Sequence, residues 1–463
     1  MQVFWHRRDL RIPDNKGLSI AARDGTVVPL FVVDGDVLSE VGKRQRAFFL
    51  AGVRELKRRY RSIGSDLVVR SGDASEVVPT VADGLDADRV VWNTHYTPER
   101  RARAEAVRDE LAGRGIDSDD RTDHVLVSPG RLDDRYPTHG AFHSDWEQVP
   151  KPSPWDPDTD SFASLDDETS VPELDADIEL PAAGYEAARE RFDDFLDRGI
   201  YTYNDERDDM AAAVERPTTS VSRMSPYLAA GMIGVRELWA DASDTYDAVH
   251  GAERKNVDKY RYELSWREHM YHLLYYLPEL ADTNWKSIPN EIDWREGEDA
   301  AADFEAWKRG ETGYPLVDAG MRQLDREGYV HNRPRQVVAS FLTKHLLIDW
   351  RLGARYFRKQ LVDHDPASNA GSWQWIASTG TDSVDVRIFD PVSQMGKYDE
   401  GADYVTEYVP ELRGVDPRTI VDWPTLSADE RAEAAPDYAD PIVDRNHGWE
   451  RAERVFEEAL GKR

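Results

Sequence analysis

The sequence predicts an α/β domain built on a parallel sheet of five strands, followed by a larger domain made only of helices. Two observations predict this division. Over the first 130 residues, short segments rich in β-branched and aromatic residues alternate with helical segments. From Tyr185 onward, the apolar pattern is helical instead. The expected parts are residues 1–130 for the α/β domain, 131–184 for an acidic interdomain linker and 185–463 for the helical domain.

The N-terminal domain is expected to alternate strands with helices. Helix-like stretches include Arg44–Tyr60 and Pro98–Ala112. Such alternation indicates βαβ units, in which ligands lie beyond the carboxyl ends of the strands. No GxGxxG motif follows the first strand and no P-loop is present, so ordinary dinucleotide-binding and P-loop functions lose support. The predicted strands are Gln2–Trp5, Thr26–Val33, Asp66–Arg70, Arg89–Asn93 and His124–Val127.

An acidic segment separates the two domains. Residues 155–180 carry ten acidic side chains and no basic one, with several Pro and Ser. This composition is typical of a solvated segment that cannot bury a core of its own. We therefore expect a linker that is draped over or between the domains and has no specific function.

The helical domain is expected to contain a long helix around Tyr260–Leu277 and another from Pro334 to Trp350. Proline is tolerated in the first turn of a helix, because its missing N–H has no intrahelical partner there. Helical spacing predicts one buried face for the second helix. That face comprises Val338, Phe341, Leu342, His345 and Leu346.

Composition limits the possible classes of protein. The chain has 463 residues, a net charge of −30 and no cysteine, which excludes disulfides, cysteine-ligated iron–sulfur clusters and cysteine nucleophiles. Its 12 lysines against 47 arginines, with this acidity, are typical of adaptation to very high salt; an ordinary acidic enzyme is the alternative. No apolar segment reaches the ~20 residues of a membrane span, and the first residues lack a signal-peptide core. We expect a cytoplasmic protein with no membrane contact and no metal site.

Three clusters of residues carry candidate chemistry. On a helix, Glu263, Trp266 and Arg267 share one face and could bind a planar, polar ligand; the alternative is an ion pair beside a core Trp. The segment from Asp363 to Asp382 combines polar residues, two Trp and several small residues, which allow close backbone approach to a ligand.

The third cluster follows His331-Asn-Arg-Pro-Arg-Gln336. From His331 to Lys359 there are seven Lys or Arg and one acid, Asp349, in a chain that is otherwise strongly acidic. This reversal of charge suggests a basic patch that contacts phosphate. The alternative is surface ion pairing with acids elsewhere in the fold.

Together these clusters resemble the photolyase and cryptochrome family, and most of all its archaeal class I-type branch. The resemblance implies a Rossmann-like sheet domain that holds an antenna chromophore, and a helical domain that holds FAD. The matching motifs extend over nearly the whole chain. They are Phe4-Trp-His-Arg-Arg-Asp-Leu-Arg11, Ser222-Arg-Met-Ser-Pro-Tyr-Leu228, Glu263-Leu-Ser-Trp-Arg-Glu268, Thr312-Gly-Tyr-Pro-Leu-Val-Asp-Ala-Gly-Met-Arg322, His331-Asn-Arg333 and Asn369-Ala-Gly-Ser-Trp-Gln-Trp375.

The resemblance also implies which residues bind FAD. Arg335 and Asp363 resemble the ion pair beside the isoalloxazine ring, where a fixed charge pair tunes the flavin. Asn369 matches the position that faces flavin N5. The residues that cradle the phosphates would be Tyr203, Ser222, Arg223, Met224 and Ser225. The rest of the cofactor would be lined by Tyr260, Glu263, Arg267, Asn332, Arg335, Asp363, Asp365 and Asn369.

The implied reaction is repair of cyclobutane pyrimidine dimers in DNA, by electron transfer from excited, reduced FAD to a dimer flipped out of the duplex. Trp266 and Trp375 resemble the walls of the lesion pocket, and Glu263 resembles its hydrogen-bonding carboxyl group. The DNA contacts would include Arg333 and Gln336. Three tryptophans match the electron-relay positions, from the flavin outward: Trp373, Trp350 and Trp294.

Some positions bear on the choice between repair and signalling. Asn369 favours repair, because plant-type cryptochromes usually carry Asp there. Gln336 stands where the commonest dimer photolyases have Met, and resembles the single-strand-preferring or cryptochrome branches. The alternatives are a cryptochrome-like blue-light receptor that signals through flavin redox change, and a flavoprotein of this fold without activity. The chain also lacks the long C-terminal tail of signalling cryptochromes, which favours repair.

The resemblance also leads to expectations for the antenna and the oligomeric state. Members that bind methenyltetrahydrofolate carry an Asn-Glu pair where this chain has Pro98-Glu99. An 8-hydroxy-5-deazaflavin type of antenna is therefore the expectation. The partner is damaged DNA, and the protein is expected to be a monomer.

Overall fold

The computed structural model describes residues 1–382 and 386–462, and it confirms a parallel five-stranded sheet followed by a helical region. The strand order is β3-β2-β1-β4-β5, and every pairing is parallel. The strands are β1 Gln2–His6, β2 Val27–Val33, β3 Val68–Ser71, β4 Arg89–Asn93 and β5 Asp117–Arg121. The helices between them are α1 Lys16–Asp24, α2 Gly35–Ser39, α3 Lys43–Ser62, α4 Ala74–Gly84 and α5 Pro98–Gly113.

The sheet is buried on both faces, because successive side chains of a strand point to opposite sides. Val3 and Trp5 of β1 belong to a core beneath α4 and α5. Phe4 points the other way, into a core that also contains Phe192 and Tyr260 of the helical region. The sheet domain and the helical region therefore share one apolar interface.

The fifth strand was predicted in the wrong place. It is Asp117–Arg121, not His124–Val127. An edge strand needs few apolar residues, and this one is Asp-Ser-Asp-Asp-Arg. The apolar segment after it instead lies beneath the long helix Gly251–Tyr276, where the buried carboxylate of Glu268 accepts hydrogen bonds from the backbone N–H groups of Leu126 (2.9 Å) and Val127 (3.0 Å).

Among the described residues, the helical region contains sixteen α-helices, and α6 His139–Gln148 precedes them. Its long helix, α12, extends beyond the predicted Tyr260–Leu277 at its N-terminal end. The helices are α7 Tyr185–Asp197, α8 Tyr203–Glu206, α9 Met210–Glu215, α10 Ser225–Ala230, α11 Val235–Ala248, α12 Gly251–Tyr276, α13 Glu298–Arg309, α14 Pro315–Glu327, α15 Asn332–Ser340, α16 Trp350–Gln360, α17 Pro366–Ala377, α18 Pro391–Tyr398, α19 Asp403–Tyr408, α20 Pro417–Val421, α21 Ala428–Ala434 and α22 Arg445–Ala459.

The helix predicted from Pro334 to Trp350 is two helices. Pro334 lies in the first turn of α15 and the predicted apolar face is buried, but α15 ends at Ser340 and continues only as a π-helical turn. Leu347 adopts a left-handed conformation (φ 54°), which stops the helix. Asp349 then caps α16, its side chain accepting a hydrogen bond from the Arg351 N–H at 2.9 Å.

The acidic segment is docked on the sheet domain. The Ala163 N–H donates to the Val27 carbonyl at 2.9 Å, and the ring of Phe162 meets that of Tyr60 edge-on, with centroids 5.4 Å apart. Asp167 is buried and pairs with Arg70 at 2.6 Å. The segment thus lies over one domain, which is one of the two placements expected for it. The exact domain boundaries stay a prediction.

A buried ion-pair network joins the helical region to the sheet domain. Arg236 of α11 contacts Asp14 at 2.5 Å and Asp123 at 2.6 Å, and Arg11 contacts Asp123 at 2.5 Å. All four side chains are at most 2% exposed. Burial alone would raise the pKa of Asp123, but Arg11 and Arg236 hold it at about 2.

Two features are absent from residues 1–382 and 386–462. No helix there has the length and apolar character needed to cross a bilayer. No group of three or more His, Asp or Glu in the same residues is arranged to hold a metal ion.

Candidate active site

A cavity of about 640 Å³ lies among α10, α12, α15 and α17. Its volume falls within the roughly 300–1,000 Å³ range of ligand and cofactor sites. Most residues singled out from the sequence line it. They are Tyr203, Ser222, Met224, Ser225, Tyr260, Glu263, Trp266, Arg267, Asn332, Arg333, Arg335, Gln336, Asp363, Asp365, Asn369, Trp373 and Trp375.

One face of α12 supplies the predicted acid, indole and guanidinium. Glu263, Trp266 and Arg267 all line the cavity, as their spacing predicts. Two cations hold the Glu263 carboxylate: Arg207 at 2.9 Å and Lys259 at 2.7 Å. Both also line the cavity and were missed from the sequence, although Lys259 stands four residues before Glu263, a spacing that indicates a helical ion pair.

A second polar group lies where α10 meets the end of α16. The Ser225 hydroxyl donates to Asp363 Oδ2 at 2.7 Å, and Arg335 Nη2 lies 3.3 Å from the same oxygen. The carboxylate is almost fully buried, so its charge requires both partners. The structure therefore forms the predicted Arg335–Asp363 pair.

The N-terminal motif reaches this site. Arg8, just after β1, contacts Asp365 at 2.5 Å, and the Tyr271 hydroxyl donates to the same oxygen. Asp365 also caps α17 by accepting a hydrogen bond from the Ser368 N–H at 2.8 Å. Burial alone would raise the pKa of Asp365, but Arg8 and Arg267 lower it below its usual range. A role for Arg8 was not predicted, because a contact across 357 residues leaves no local signal.

Two tryptophans form an aromatic corner of the cavity. The rings of Trp266 and Trp375 are nearly perpendicular, at 74°, with centroids 6.4 Å apart. The guanidinium of Arg387 covers Trp375 at 4.0 Å and also lines the cavity. Burial lowers the pKa of Arg387. Its position beside an expected lesion wall was not predicted, since nothing in the surrounding sequence distinguishes it.

Arg223 does not line the cavity, in contrast to its expected contact with phosphate. Its guanidinium pairs with Glu327 at 2.8 Å and lies over the ring of Tyr329 at 4.1 Å. These partners draw the side chain away from the cavity. The backbone of Arg223 is left-handed, with φ 49°, so this residue shapes the loop before Ser225 rather than offering a cation to it.

The three relay candidates occupy one core. Trp373 lines the cavity and packs so closely on Gly353 that a methyl group there would lie 2.3 Å from the indole. Trp350 is fully buried one helical turn before Gly353, and its Nε1 donates to Asn284 at 3.3 Å. Trp294 lies at the edge of the same core, against Phe456. Trp350 and Trp294 do not line the cavity, so their order in a relay stays a prediction.

Several cations of the predicted basic patch already have partners within the protein. Arg333 is held by Asp208 at 2.7 Å and donates to Gln336 at 2.9 Å. Arg351 pairs with Asp349 at 3.2 Å, and Lys344 is fully buried, donating to the Ala377 carbonyl at 3.0 Å. Arg333 and Arg351 thus form ion pairs within the fold, as the alternative expects, while contact of the patch with phosphate stays a prediction.

A second cavity, of about 440 Å³, lies beyond the carboxyl ends of β1 and β2, between the sheet and the helical region. This is the position that a parallel sheet favours for ligands. Pro98, Glu99 and Arg100 are among its lining residues, and burial lowers the pKa of Arg100 to about 10. Asn369 lines both cavities, and its Nδ2 donates to the Ala354 carbonyl at 3.1 Å.

Comparison with known proteins agrees with this arrangement. Residues 2–158 match the family model described as DNA photolyase, and residues 260–458 match the FAD binding domain of DNA photolyase. A deoxyribodipyrimidine photo-lyase of Halobacterium salinarum is 42% identical, with 100% of each chain covered.

Two solved structures have the same fold. A class III photolyase of Agrobacterium tumefaciens is 33% identical, with a TM-score of 0.87 over 100% of this chain and 98% of that one. An archaeal photolyase of Sulfolobus tokodaii, solved with two FAD molecules, is 30% identical, with a TM-score of 0.84 over 99% of each chain. With both family models, the full-length relative and the cavity in agreement, the chain belongs to the DNA photolyase family.

Proposed function

We propose that this protein uses light to repair cyclobutane pyrimidine dimers in DNA. The observation that carries the proposal is the single cavity that combines a buried Ser225–Asp363–Arg335 group with the aromatic corner of Trp266 and Trp375. The first group suits a polar cofactor, and the second suits a flipped-out pyrimidine pair. Relatives from Halobacterium and Synechococcus, 42% and 36% identical, are named deoxyribodipyrimidine photo-lyases.

The chemistry of the cavity fits FAD. Hydroxyl groups of Ser222 and Ser225 and the cation of Arg335 are suited to phosphate and ring oxygens, whereas the carboxylates of Asp363 and Asp365 accept from N–H and ribose O–H donors. When bound and reduced, FAD supplies the electron that splits the dimer on excitation. The side chains that line the cavity would hold FAD in place and exclude water, so that the charges beside it would act in a dry environment.

The rest of the cavity is suited to the lesion. Trp266 and Trp375 offer ring surfaces, and Glu263 offers a carboxylate that Arg207 and Lys259 hold in place. A flipped dimer costs less to extrude than intact bases, because its pairing is already weakened. Arg333, Gln336 and Arg387 also line the cavity, which supports a contact of these side chains with the DNA strand.

A cryptochrome-like light receptor is the second candidate, and Gln336 is the residue that favours it. A relative from Natronomonas pharaonis, 34% identical, is named cryptochrome DASH. The deciding experiment illuminates the purified protein with dimer-containing DNA and measures dimer loss against a dark control. Dimer loss only in the light is expected; FAD photochemistry without dimer loss would favour the receptor.

The two arginines near the cavity should differ in their effect on FAD retention. Arg335→Ala should weaken FAD binding by about tenfold or more, because losing a charge-assisted hydrogen bond costs roughly 1.5–3 kcal/mol. Arg223→Ala should change it little, since that guanidinium pairs with Glu327 instead. The measurement is the ratio of flavin to protein absorbance after purification in high salt. Equal losses in both variants would contradict these assignments.

Asp208 should restrain DNA binding. A phosphate that binds Arg333 must displace the Asp208 carboxylate, which lies 2.7 Å from that guanidinium. Asp208→Asn should therefore raise affinity for damaged and undamaged DNA alike, and steepen the dependence of log K on log salt by about one unit. Titrations at two salt concentrations test this. Glu400→Gln is the control, because Glu400 and Asp208 line one acidic cleft on the surface. An equal effect of Glu400→Gln would show a general effect of charge.

We further propose that the 440 Å³ cavity holds an antenna of the 8-hydroxy-5-deazaflavin type rather than methenyltetrahydrofolate. Its place beyond the sheet and the Pro98-Glu99 pair in its lining support the proposal. The Sulfolobus photolyase carries two FAD molecules, so a flavin is the other candidate. Absorption and mass spectra of the released chromophore from the native host distinguish the three.

The organisation of the protein completes the proposal. We propose that it acts as a cytoplasmic monomer, with residues 1–130 as the antenna domain, 131–184 as a linker and 185–463 as the FAD domain. The docking of residues 162–167 on the sheet supports a linker that belongs with the first domain. Light scattering of the purified protein tests the monomer.

A further inference from the structure

The indole of Trp266 is stacked on an imidazole. The ring of His139, the first residue of α6, lies parallel to it, with centroids 3.8 Å apart and planes at 10°. His139 has no solvent exposure, whereas Trp266 is half-buried and lines the 640 Å³ cavity. One face of the indole is therefore covered, and only the other is available to a base.

Hydrogen bonds fix the imidazole. Ser265 donates its hydroxyl proton to the Tyr262 carbonyl at 2.8 Å, as its place on α12 allows. Its oxygen is then an acceptor for His139 Nε2 at 3.0 Å and for His143 Nδ1 at 2.9 Å. His139 must carry its proton on Nε2 to make this bond. Burial lowers the pKa of His139 to about 3, so that the ring is neutral.

Other rings close the remaining sides of His139. Tyr262 meets it edge-on, with centroids 4.7 Å apart and planes at 89°. His269 and Phe142 lie 5.6 Å and 6.2 Å away. The imidazole therefore has no room to turn, and it presents one fixed plane to Trp266.

We propose that His139 is a positioning residue for dimer recognition: it holds the Trp266 indole in the plane on which a flipped-out pyrimidine dimer stacks. The inference rests on the proposed function and assigns a role to a helix outside the FAD-binding region. A side chain that is ordered before binding does not have to be immobilised by the ligand. Its contribution should appear in dimer affinity rather than in the photochemical step.

The test compares His139→Ala, His139→Phe and Trp266→Ala. His139→Ala should weaken binding of a dimer-containing oligonucleotide by roughly three- to tenfold, because the ligand must then order the indole. Repair per absorbed photon at saturating substrate, FAD content and affinity for undamaged DNA should stay unchanged. His139→Phe should restore most of the affinity, because a Phe ring can form the same stack.

Ser265→Ala is a second variant in case His139→Ala folds poorly. It removes the acceptor that fixes the imidazole but keeps both rings, and should weaken dimer binding about twofold to threefold. Loss of dimer affinity in Trp266→Ala, with full affinity in both His139→Ala and Ser265→Ala, would overturn the inference and leave the proposed function intact. Full dimer affinity in Trp266→Ala would overturn the lesion pocket itself, and the inference with it.

Discussion

Trp373→Phe should block the light-driven reduction of oxidised FAD by an external reductant. Among the three relay candidates, Trp373 alone lines the cavity, so we expect it to be the last donor of the electron to the flavin. Phenylalanine keeps the packing on Gly353 but is much harder to oxidise than an indole. Enzyme whose FAD has been reduced chemically should still repair dimers, because the relay serves only to recharge the flavin. The measurements are flavin absorbance under illumination and dimer loss by the pre-reduced variant.

Trp423→Phe is the matched control for this experiment. Trp423 is fully buried in the same core as Trp373, but it packs on Tyr438 and lies outside the cavity. Light should reduce the flavin of the Trp423→Phe enzyme at the same rate as that of the unmodified protein. A pre-reduced Trp373→Phe enzyme that fails to repair would show that Trp373 serves the repair step or the flavin environment instead.

Trp266→Ala should lower affinity for dimer-containing DNA by roughly tenfold or more, with little change for undamaged DNA. Stacking on an aromatic side chain contributes roughly 1–3 kcal/mol per base, and 1.4 kcal/mol is about tenfold in affinity. In molar salt the Debye length is only ~3 Å, and phosphate contacts weaken as salt rises. Short-range stacking should therefore carry most of the discrimination for a protein of net charge −30.

Binding titrations with and without a dimer, at two salt concentrations, measure this effect. Trp285→Ala is the control, because Trp285 is also half-buried in the helical region but does not line the cavity. Arg333→Ala should weaken binding of both DNAs about equally and flatten the salt dependence. An equal loss for both DNAs in Trp266→Ala would identify Trp266 as a core residue.

The fold could be predicted from the sequence wherever a local pattern of apolar residues determines the secondary structure. Four strands, and the buried face that begins in α15 and continues in the π-helical turn, follow from alternation and helical spacing, which depend on neighbouring residues. The edge strand Asp117–Arg121 was missed because it has no apolar alternation to detect. The break before Trp350 was also missed, although Asp349 stands at a typical N-cap position.

The site was predictable where a motif supplies several residues on one element, as with Glu263, Trp266 and Arg267 on α12. It was not predictable where partners come from distant segments. Arg333 pairs with Asp208, and Arg223 pairs with Glu327. No local sequence pattern indicates either ion pair. His139 lies in residues 131–184, which were interpreted as an interdomain linker, and only the fold brings it against Trp266.

The ion-pair network of Arg11, Asp14, Asp123 and Arg236 should hold the sheet domain and the helical region together in concentrated salt solution. Dissolved ions screen exposed charge pairs strongly, but they do not reach pairs that are at most 2% exposed. Surface pairs such as Arg309–Glu311 should thus fade as salt rises, while this network keeps its strength. The ionic contact between the sheet domain and α11 is thereby insulated from the ionic strength outside.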